Sequence, residues 1–343
     1  MTRVLLTGGS GFIATHILQL LLERGHSVVT TVRSSAKAES IKKAHPDLGL
    51  ERLDFAIVPD IAKASAFDEA VISDPPFETV IHTASPFHFN VTDIKRDLLD
   101  PAINGTTGIL HAIKKSAPSV KRVVITSSFG SMMDISKGLW PGHTYNEEDW
   151  NPVTAEQAME NPGFGYSASK TFAEKAAWAF VAEEKPEFTI STILPPLVFG
   201  PAVQSLASLD ALNTSNQFIR SFTIGAAKEA IPPTTNPIFV DVRDVAFAHV
   251  MAAEKAEAGG KRFFVVGGYC SNAEIIEIIR KKFPEYRDNL PPPSVSGGGY
   301  LELPAEVYGF DTRKSVEILG IKYRSLEDCV TETVRSFSAV KQS

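Results

Sequence analysis

The sequence predicts an α/β fold, a doubly wound parallel sheet followed by a smaller C-terminal α/β part. Short, nearly continuous apolar segments alternate with helical segments over roughly the first 200 residues, which is typical of parallel strands covered by helices on both faces. The first apolar segment also runs straight into a glycine-rich turn that opens a helix. After Pro195 the chain becomes richer in loops, which indicates a change of architecture.

The individual elements follow from the local patterns. Runs of β-branched and apolar residues predict strands at 4–6, 28–32, 55–58, 80–83, 123–126 and 189–194. Helical spacing predicts helices at 13–24, 98–117 and 167–183, with Gly25 ending the first. Farther on we predict a helix near 216–226, a strand from 238 that feeds a helix to about 257, a strand at 263–266, a helix at 272–282 capped by Ser271, and a last helix at 326–340.

Composition and charge exclude several classes of protein. The 343 residues are 43% hydrophobic and 22% charged, which is ordinary for a folded globular chain and excludes a disordered one. The net charge of -6 argues against nucleic acid as a partner. The longest apolar stretch, 190–203, is broken by prolines, and the first residues do not resemble a signal peptide, so we expect no membrane partner and a cytoplasmic location.

The same counts exclude a disulfide framework and give no sign of a metal site. Cys270 and Cys329 are the only cysteines and lie far apart in the sequence. The eight histidines include no His-Glu-x-x-His pattern and no cluster with the spacing of metal ligands. We therefore expect a chain without a metal.

The turn after the first strand has the composition of a dinucleotide-binding turn. It reads Gly-x-x-Gly-x-x-Ala from Gly8 through Gly11. Missing side chains let the backbone approach a pyrophosphate, and the free N–H groups of the helix start bind phosphate. We predict contacts to the cofactor from Gly8, Gly11, Phe12 and Ile13. Residues 1–195 with about 236–258 would then form a Rossmann-type dinucleotide-binding domain, and 196–235 with 259–343 a substrate-binding domain.

The end of the second strand indicates which dinucleotide is bound. An acidic residue there would accept hydrogen bonds from a ribose 2′-hydroxyl, but none occurs before Glu39. Arg33 and Lys37 stand there instead, and they would pair with a 2′-phosphate. The pattern therefore favours NADPH over NADH. Asp60 and Ile61, after the third strand, are candidate contacts to the adenine, although a helix cap explains Asp60 equally well.

A second constellation has the composition of a carbonyl-reducing site. Ser127 and Ser128 end the fifth strand, and Tyr166 and Lys170 are four residues apart, on one face of a predicted helix. A free phenol, with a pKa of about 10, is a weak acid at neutral pH, but a nearby ammonium would lower that pKa. We predict that Tyr166 is the proton donor, that Lys170 tunes it and orients the cofactor ribose, and that Ser128 holds the carbonyl oxygen.

Several longer stretches resemble the extended short-chain dehydrogenases/reductases over nearly the full length. They include Gly11-Phe-Ile-Ala, His82-Thr-Ala-Ser-Pro-Phe, Asn104-Gly-Thr-Thr-Gly-Ile-Leu, Ala173-Glu-Lys-Ala-Ala-Trp and Asp241-Val-Arg-Asp-Val-Ala. Within that family the chain is most similar to fungal NADPH-dependent aldehyde and ketone reductases of the methylglyoxal type, which stand close to the dihydroflavonol reductases.

This resemblance implies further site residues. Thr83 and Ala84 would line the cofactor channel, and Pro195 and Val198 would pack near the nicotinamide. The second serine of the Ser127-Ser128 pair would be the catalytic one. The walls of the substrate pocket would come from Phe87, Phe129 and Met133.

The function we predict is an NADPH-dependent carbonyl reductase that reduces an aldehyde or ketone to an alcohol, as a monomer or homodimer. The patterns point to a keto ester, an aryl ketone or a 2-oxoaldehyde as the small-molecule substrate. Two alternatives stay open at this point. One is a nucleotide-sugar epimerase or dehydratase that keeps NAD bound, and the other is a non-catalytic redox sensor that binds NADPH.

Overall fold

The computed structural model describes residues 2–85, 91–203, 206, 208–300 and 305–340. Its centre is a seven-stranded sheet made of β1 (Arg3–Thr7), β2 (Ser27–Val32), β3 (Leu53–Ile57), β4 (Thr79–His82), β5 (Arg122–Thr126), β7 (Thr189–Leu194) and β10 (Lys261–Phe264). The strands lie in the order β10-β7-β5-β4-β1-β2-β3, and all the neighbouring strands are parallel. The predicted doubly wound parallel sheet is confirmed.

Smaller sheets and helices complete the chain. A three-stranded sheet contains β8 (Leu197–Phe199), β9 (Ile238–Asp241) and β11 (Gly268–Tyr269), and β6 (Thr144–Tyr145) pairs with β12 (Gly309–Phe310). The helices are α1 (Phe12–Glu23), α2 (Ser35–Ala44), α3 (Asp100–Ser116), α4 (Ala155–Ala158), α5 (Pro162–Glu184), α6 (Thr214–Thr223), α7 (Val242–Glu254), α8 (Asn272–Lys282) and α9 (Leu326–Val340). Among the described residues, none of these helices is both long and apolar enough to cross a membrane.

The large sheet is covered on both faces because its side chains alternate between two cores. Val4 and Leu6 pack with α1 and α7 on one face. Leu5 packs with α3 and α5 on the other. A third core joins α6, α8 and α9 beyond the sheet. Strand order reverses between β1 and β4, and the carboxyl ends of strands at such a switch point form the crevice where ligands bind in this architecture.

Several element boundaries follow the sequence prediction, and others do not. Helices α8 and α9 have the predicted bounds. Helix α5 starts earlier than predicted because Asn161 caps it and Pro162 opens it. Helix α2 was not predicted because Ala38 alone is buried in it, so it has no apolar stripe.

The predicted strand at 263–266 is found at Lys261–Phe264, and it pairs with β7 in the large sheet. Residues that we assigned to the substrate-binding domain therefore contribute the outer strand of the nucleotide-binding sheet. The division into two domains stays a prediction, with this strand on the sheet side of any boundary.

Candidate active site

The glycine turn is closed by backbone hydrogen bonds. Gly8 has a φ of +75°, a conformation that favours glycine, and its carbonyl accepts a hydrogen bond from the Gly11 N–H at 2.8 Å. The N–H of Gly8 donates to Thr31 Oγ1 at 3.1 Å, and the N–H of Gly9 donates to the Thr31 carbonyl at 2.9 Å. The turn is therefore fixed against the end of β2.

Two glycines of the turn have no room for a side chain. A Cβ atom on Gly8 would lie 3.0 Å from the Cα of Ala84, and one on Gly9 would lie 1.9 Å from Oγ1 of Thr30. The turn pattern predicts roles for Gly8 and Gly11 but not for Gly9. Its need for glycine comes from packing against the neighbouring strand, which the turn pattern does not encode.

The start of α1 can accept an anion. Gly11 is the N-cap residue in an extended conformation, and no side chain among the described residues caps the first turn. The N–H groups of Phe12 and Ile13 therefore have no partner within the helix. This turn and helix start fit the pyrophosphate of a dinucleotide, because both the missing side chains and the free donors are in place.

Thr83 and Ala84 lie directly against the same turn. Oγ1 of Thr7 accepts hydrogen bonds from the N–H groups of both residues at 3.1 Å. Thr83 Oγ1 donates to the Thr7 carbonyl at 2.6 Å. The proton of Thr7 Oγ1 is left to donate to Nδ1 of His82, 2.9 Å away. Burial lowers the pKa of His82 to about 3, so this ring is neutral and rigidly held.

Arg33 and Lys37 lie where a ribose reader is expected. Arg33 follows β2 immediately, Lys37 is in the first turn of α2, and both are exposed. Within the described part of the chain neither forms an ion pair. Lys37 and Ser10 are among the residues that line a cavity of about 430 Å³ between α1 and α2. Two cations free of acidic partners suit a 2′-phosphate.

Asp60 and Ile61 have partners within the protein. Oδ1 of Asp60 accepts a hydrogen bond from the Ala62 N–H at 2.9 Å, but turns and not a helix follow it, so the structure contradicts the helix-cap alternative. Ile61 packs on α3, where a Cβ atom on Gly105 would lie 3.2 Å from its Cδ1. Contact of either residue with adenine stays a prediction.

The structure brings the predicted catalytic residues together. Ser128 follows β5, accepts a hydrogen bond from the Gly130 N–H at 3.0 Å, and is hydrogen-bonded to Tyr166. Nζ of Lys170 lies 5.8 Å from the centroid of the Tyr166 ring. It donates to Oγ of Ser85 at 2.8 Å. Ser85, directly after the Thr83-Ala84 pair, was not predicted because nothing in its local sequence distinguishes it.

Burial dominates the acid–base properties of these groups. It raises the pKa of Tyr166, and the hydrogen bond with Ser128 lowers it in part. It also lowers the pKa of Lys170 to about 8. We expected the pKa of the phenol to be lowered by the ammonium, but the net shift in this structure is upward. The reason is that removing both charged forms from water costs more than their attraction returns at this separation.

The residues expected around the nicotinamide and substrate have mixed surroundings. The carbonyl of Pro195 accepts a hydrogen bond from the Phe129 N–H at 2.9 Å, and Val198 is buried in β8. Phe129 is 4% exposed and its ring stacks on Phe264 with the centroids 5.2 Å apart. Met133 packs on the same aromatic cluster. The pocket roles of Phe129 and Met133 stay predictions, and Phe87 lies outside the described residues.

The described ranges contain no group of three or more His, Cys, Asp or Glu side chains that could hold a metal ion. A cavity of about 20 Å³ lies behind the site, and Lys170, Ser127 and Glu174 are among the residues that line it.

Glu174 is a further residue of this region that the sequence analysis does not predict. Its position eight residues after Tyr166 could have indicated it, because that spacing puts it on the same face of the helix.

The chain is similar to known proteins over nearly its full length. Residues 4–267 match the family model described as the NAD dependent epimerase/dehydratase family. A ketoreductase of Aspergillus niger is 48% identical over 337 residues, covering 97% of each chain. An NADPH-dependent methylglyoxal reductase of Saccharomyces cerevisiae is 39% identical over 338 residues, covering 96% of each.

A solved structure agrees with these matches. The crystal structure of yeast methylglyoxal/isovaleraldehyde reductase complexed with NADPH superposes with a TM-score of 0.89 at 36% identity, covering 99% of each chain. The resemblance inferred from the sequence motifs is thereby confirmed. With its glycine turn after β1 and its Ser128, Tyr166 and Lys170 close together, the chain belongs to the NAD dependent epimerase/dehydratase family, the extended short-chain dehydrogenases/reductases.

Proposed function

We propose that this protein is an NADPH-dependent carbonyl reductase that converts an aldehyde or ketone to an alcohol with Ser128, Tyr166 and Lys170 as its catalytic residues. The observation that carries the proposal is the hydrogen-bonded pair of Ser128 and Tyr166 with the Lys170 ammonium beside the phenol ring. The chain is an oxidoreductase that acts on a CH–OH group with NADP as acceptor, in keeping with its ketoreductase and methylglyoxal reductase relatives.

The cofactor is NADPH, as the sequence predicted and as the names of the relatives and the yeast complex support. Gly8, Gly11 and the first turn of α1 would hold its pyrophosphate, and Arg33 with Lys37 its 2′-phosphate. Bound there, NADPH supplies the hydride that reduces the carbonyl carbon.

The protein's own part in the reaction is to hold the substrate oxygen and to give it a proton. Ser128 would donate a hydrogen bond to the carbonyl oxygen, and Tyr166 would transfer its phenolic proton as negative charge develops there. The raised pKa of Tyr166 keeps the phenol protonated before the reaction. Lys170 would then stabilise the phenolate, because a positively charged ammonium near the negative phenolate favours the charged forms of both groups.

The substrate class that we propose is supported by the aromatic surroundings of Ser128. Phe129 and Met133 belong to an apolar cluster next to Ser128, which favours keto esters, aryl ketones and 2-oxoaldehydes over polar sugars. We expect a monomer or homodimer, with no nucleic-acid partner. A cytoplasmic setting stays a prediction.

The first experiment measures oxidation of NADPH and, separately, of NADH by the purified protein with aldehydes, α-keto esters and aryl ketones. We expect NADPH-selective turnover. Tyr166→Phe should lower kcat by about 10²–10⁴-fold, the usual contribution of a general acid, with little change in NADPH affinity. Full activity in that variant would refute the mechanism.

A second variant tests the cofactor contacts. Arg33→Ala combined with Lys37→Ala should weaken NADPH binding about 10–100-fold and leave NADH binding unchanged, because each lost contact is a charge-assisted hydrogen bond. Cofactor binding without turnover of any carbonyl would favour the sensor. NAD retained through purification would favour the epimerase or dehydratase.

A further inference from the structure

A buried carboxylate lies just beyond the proposed catalytic residues. Glu174 is on α5, one helical turn after Lys170, and its side chain is 1% exposed. The Ser-Tyr-Lys mechanism does not use it. Such a group is costly to bury, and replacing a buried ion pair with apolar residues often stabilises a protein. Stability is therefore a weak explanation for the presence of Glu174. Its contacts indicate a role in the turn that contains Ser128.

One carboxylate oxygen of Glu174 ties down the turn that presents Ser128. Its Oε2 accepts hydrogen bonds from Oγ of Ser127 at 2.5 Å and from Oγ of Ser131 at 2.6 Å. Ser127 immediately precedes Ser128, and the Ser131 N–H donates to the Ser128 carbonyl at 2.9 Å. The carboxylate thus anchors the backbone on both sides of the proposed catalytic serine.

The other oxygen is fixed by a neighbouring strand and by a cation. Oε1 of Glu174 accepts hydrogen bonds from Nε of Arg262 at 2.7 Å and from Oγ1 of Thr192 at 2.8 Å. Arg262 in turn donates to the carbonyl of Glu147 at 2.6 Å, and its guanidinium lies 3.7 Å from the Trp150 ring centroid. Burial opposes ionisation of Glu174, but Arg262 and the serine hydroxyls hold its pKa below the usual value. The carboxylate is therefore a charged, rigid acceptor.

We propose that Glu174 is a positioning residue that holds Ser128 in hydrogen-bonding contact with Tyr166 by accepting hydrogen bonds from Ser127 and Ser131. This inference rests on the proposed function, since it concerns the geometry of the same site. Helix α5 carries Tyr166, Lys170 and Glu174, so one rigid element places the proton donor and the anchor of the serine turn in a fixed relation. Displacement of a reacting group by about 1 Å can cost on the order of 10²-fold in rate.

The test compares Glu174→Gln with the double variant Ser127→Ala plus Ser131→Ala, which removes the two tethers and keeps the ion pair with Arg262. We expect both to lower kcat about 10–100-fold, with the affinity for NADPH within about twofold of wild type. Thr192→Val is the matched control, because it removes a hydrogen bond to Glu174 that does not involve the serine turn. Its kcat should stay within about twofold of wild type.

Two further readouts separate positioning from a general structural effect. In a Ser128→Ala background, Glu174→Gln should cause no additional loss of kcat, because both changes remove the same interaction. The pH profile of kcat should keep the wild-type apparent pKa values in all the tether variants. Glu174 and Lys170 line one cavity, so an effect that passed through Lys170 would shift that profile.

The outcomes are distinct. Three results would overturn the positioning role. They are a further fall in kcat when Glu174→Gln is added to Ser128→Ala, a shifted pH profile of kcat, and a wild-type kcat in the serine double variant. If Glu174→Gln does not fold, as thermal unfolding would reveal, the serine double variant decides the question alone. Failure of the proposed function appears separately, as a wild-type protein without carbonyl-dependent NADPH oxidation or as an active Tyr166→Phe variant.

Discussion

Replacing Gly9 with alanine is the sharpest test of the nucleotide-binding turn. The new Cβ atom would lie 1.9 Å from Oγ1 of Thr30 and 2.9 Å from both its Cβ and Cγ2. Rotating the threonine does not remove this clash, because the Cβ of Thr30 stays 2.9 Å from the new atom in every rotamer. Thr30 is fully buried, and its Oγ1 donates to the Leu6 carbonyl at 2.9 Å. The turn must therefore move away from β2.

The size of the effect follows from these contacts. Overpacking costs about 1–3 kcal/mol, and loss of the hydrogen bond from the Gly9 N–H to the Thr31 carbonyl adds about 1 kcal/mol. An entropy of unfolding of about 2.1 cal/mol/K per residue gives roughly 0.7 kcal/mol/K for a chain of 343 residues. Gly9→Ala should therefore lower the melting temperature by about 3–6 °C. NADPH affinity should fall at least ~10-fold, because a displaced turn no longer holds its backbone N–H groups in line with those of the first turn of α1.

Thermal unfolding and equilibrium binding of NADPH measure both effects. Adding Thr30→Ala should restore part of the loss, since it removes the 1.9 Å contact and leaves the 2.9 Å contact with Cβ. Gly108→Ala is the matched control outside the turn. A Gly9→Ala variant with the melting temperature and NADPH affinity of the wild type would refute the packing argument.

Three other predictions use single measurements. Gly108→Ala should raise the melting temperature by about 1 °C, because glycine costs about 1 kcal/mol relative to alanine inside a helix and the nearest atom to its Cβ would be 3.8 Å away; a lower value would contradict this. Burial lowers the pKa of His82 to about 3 and of His249 to about 4. The unfolded chain therefore binds more protons below pH ~6.5, and the free energy of unfolding should fall with decreasing pH by up to about 1.4 kcal/mol per unit for each histidine. Denaturant unfolding between pH 6.5 and 5 measures this slope, and His249→Gln should reduce it. An unchanged slope would contradict the lowered pKa of His249 in the folded protein. Burial raises the pKa of Cys270 to about 12 and that of Cys329 well above its usual value. A thiol reagent should label neither cysteine in the native protein and both in denaturant. Labelling of the native protein would contradict this prediction and would show that the third core opens.

Local pattern was enough to predict much of this molecule. The strands of the large sheet and the helices that cover it have characteristic spacings of hydrophobic residues, and Ser271 indicates the start of α8. The glycine turn and the Tyr166–Lys170 pair are short-range spacings, so they too can be predicted without knowing the fold. What these patterns have in common is that each depends on residues close together in the chain.

The features that sequence reasoning missed depend on pairings between distant residues. Arg262 reaches Glu174 across 88 positions of sequence, and no local spacing indicates that contact. The burial of Phe129 depends on Tyr145, Phe264 and Tyr308, which come from three separate segments. The upward shift in the pKa of Tyr166 has the same origin, since desolvation depends on everything that packs around the phenol.

The pairing of β10 with β7 also constrains how the protein is made. Residues 189–194 leave the ribosome well before residues 261–264 do, and during that interval the outer edge of β7 has no partner strand. An unpaired strand edge is a template for pairing with another chain, and long-range pairing of this kind exposes a folding intermediate to aggregation. A chain truncated near residue 195 would keep that edge permanently. The seven-stranded sheet is therefore complete only after translation has continued past Phe264, and we expect the truncated chain to aggregate more readily than the full chain.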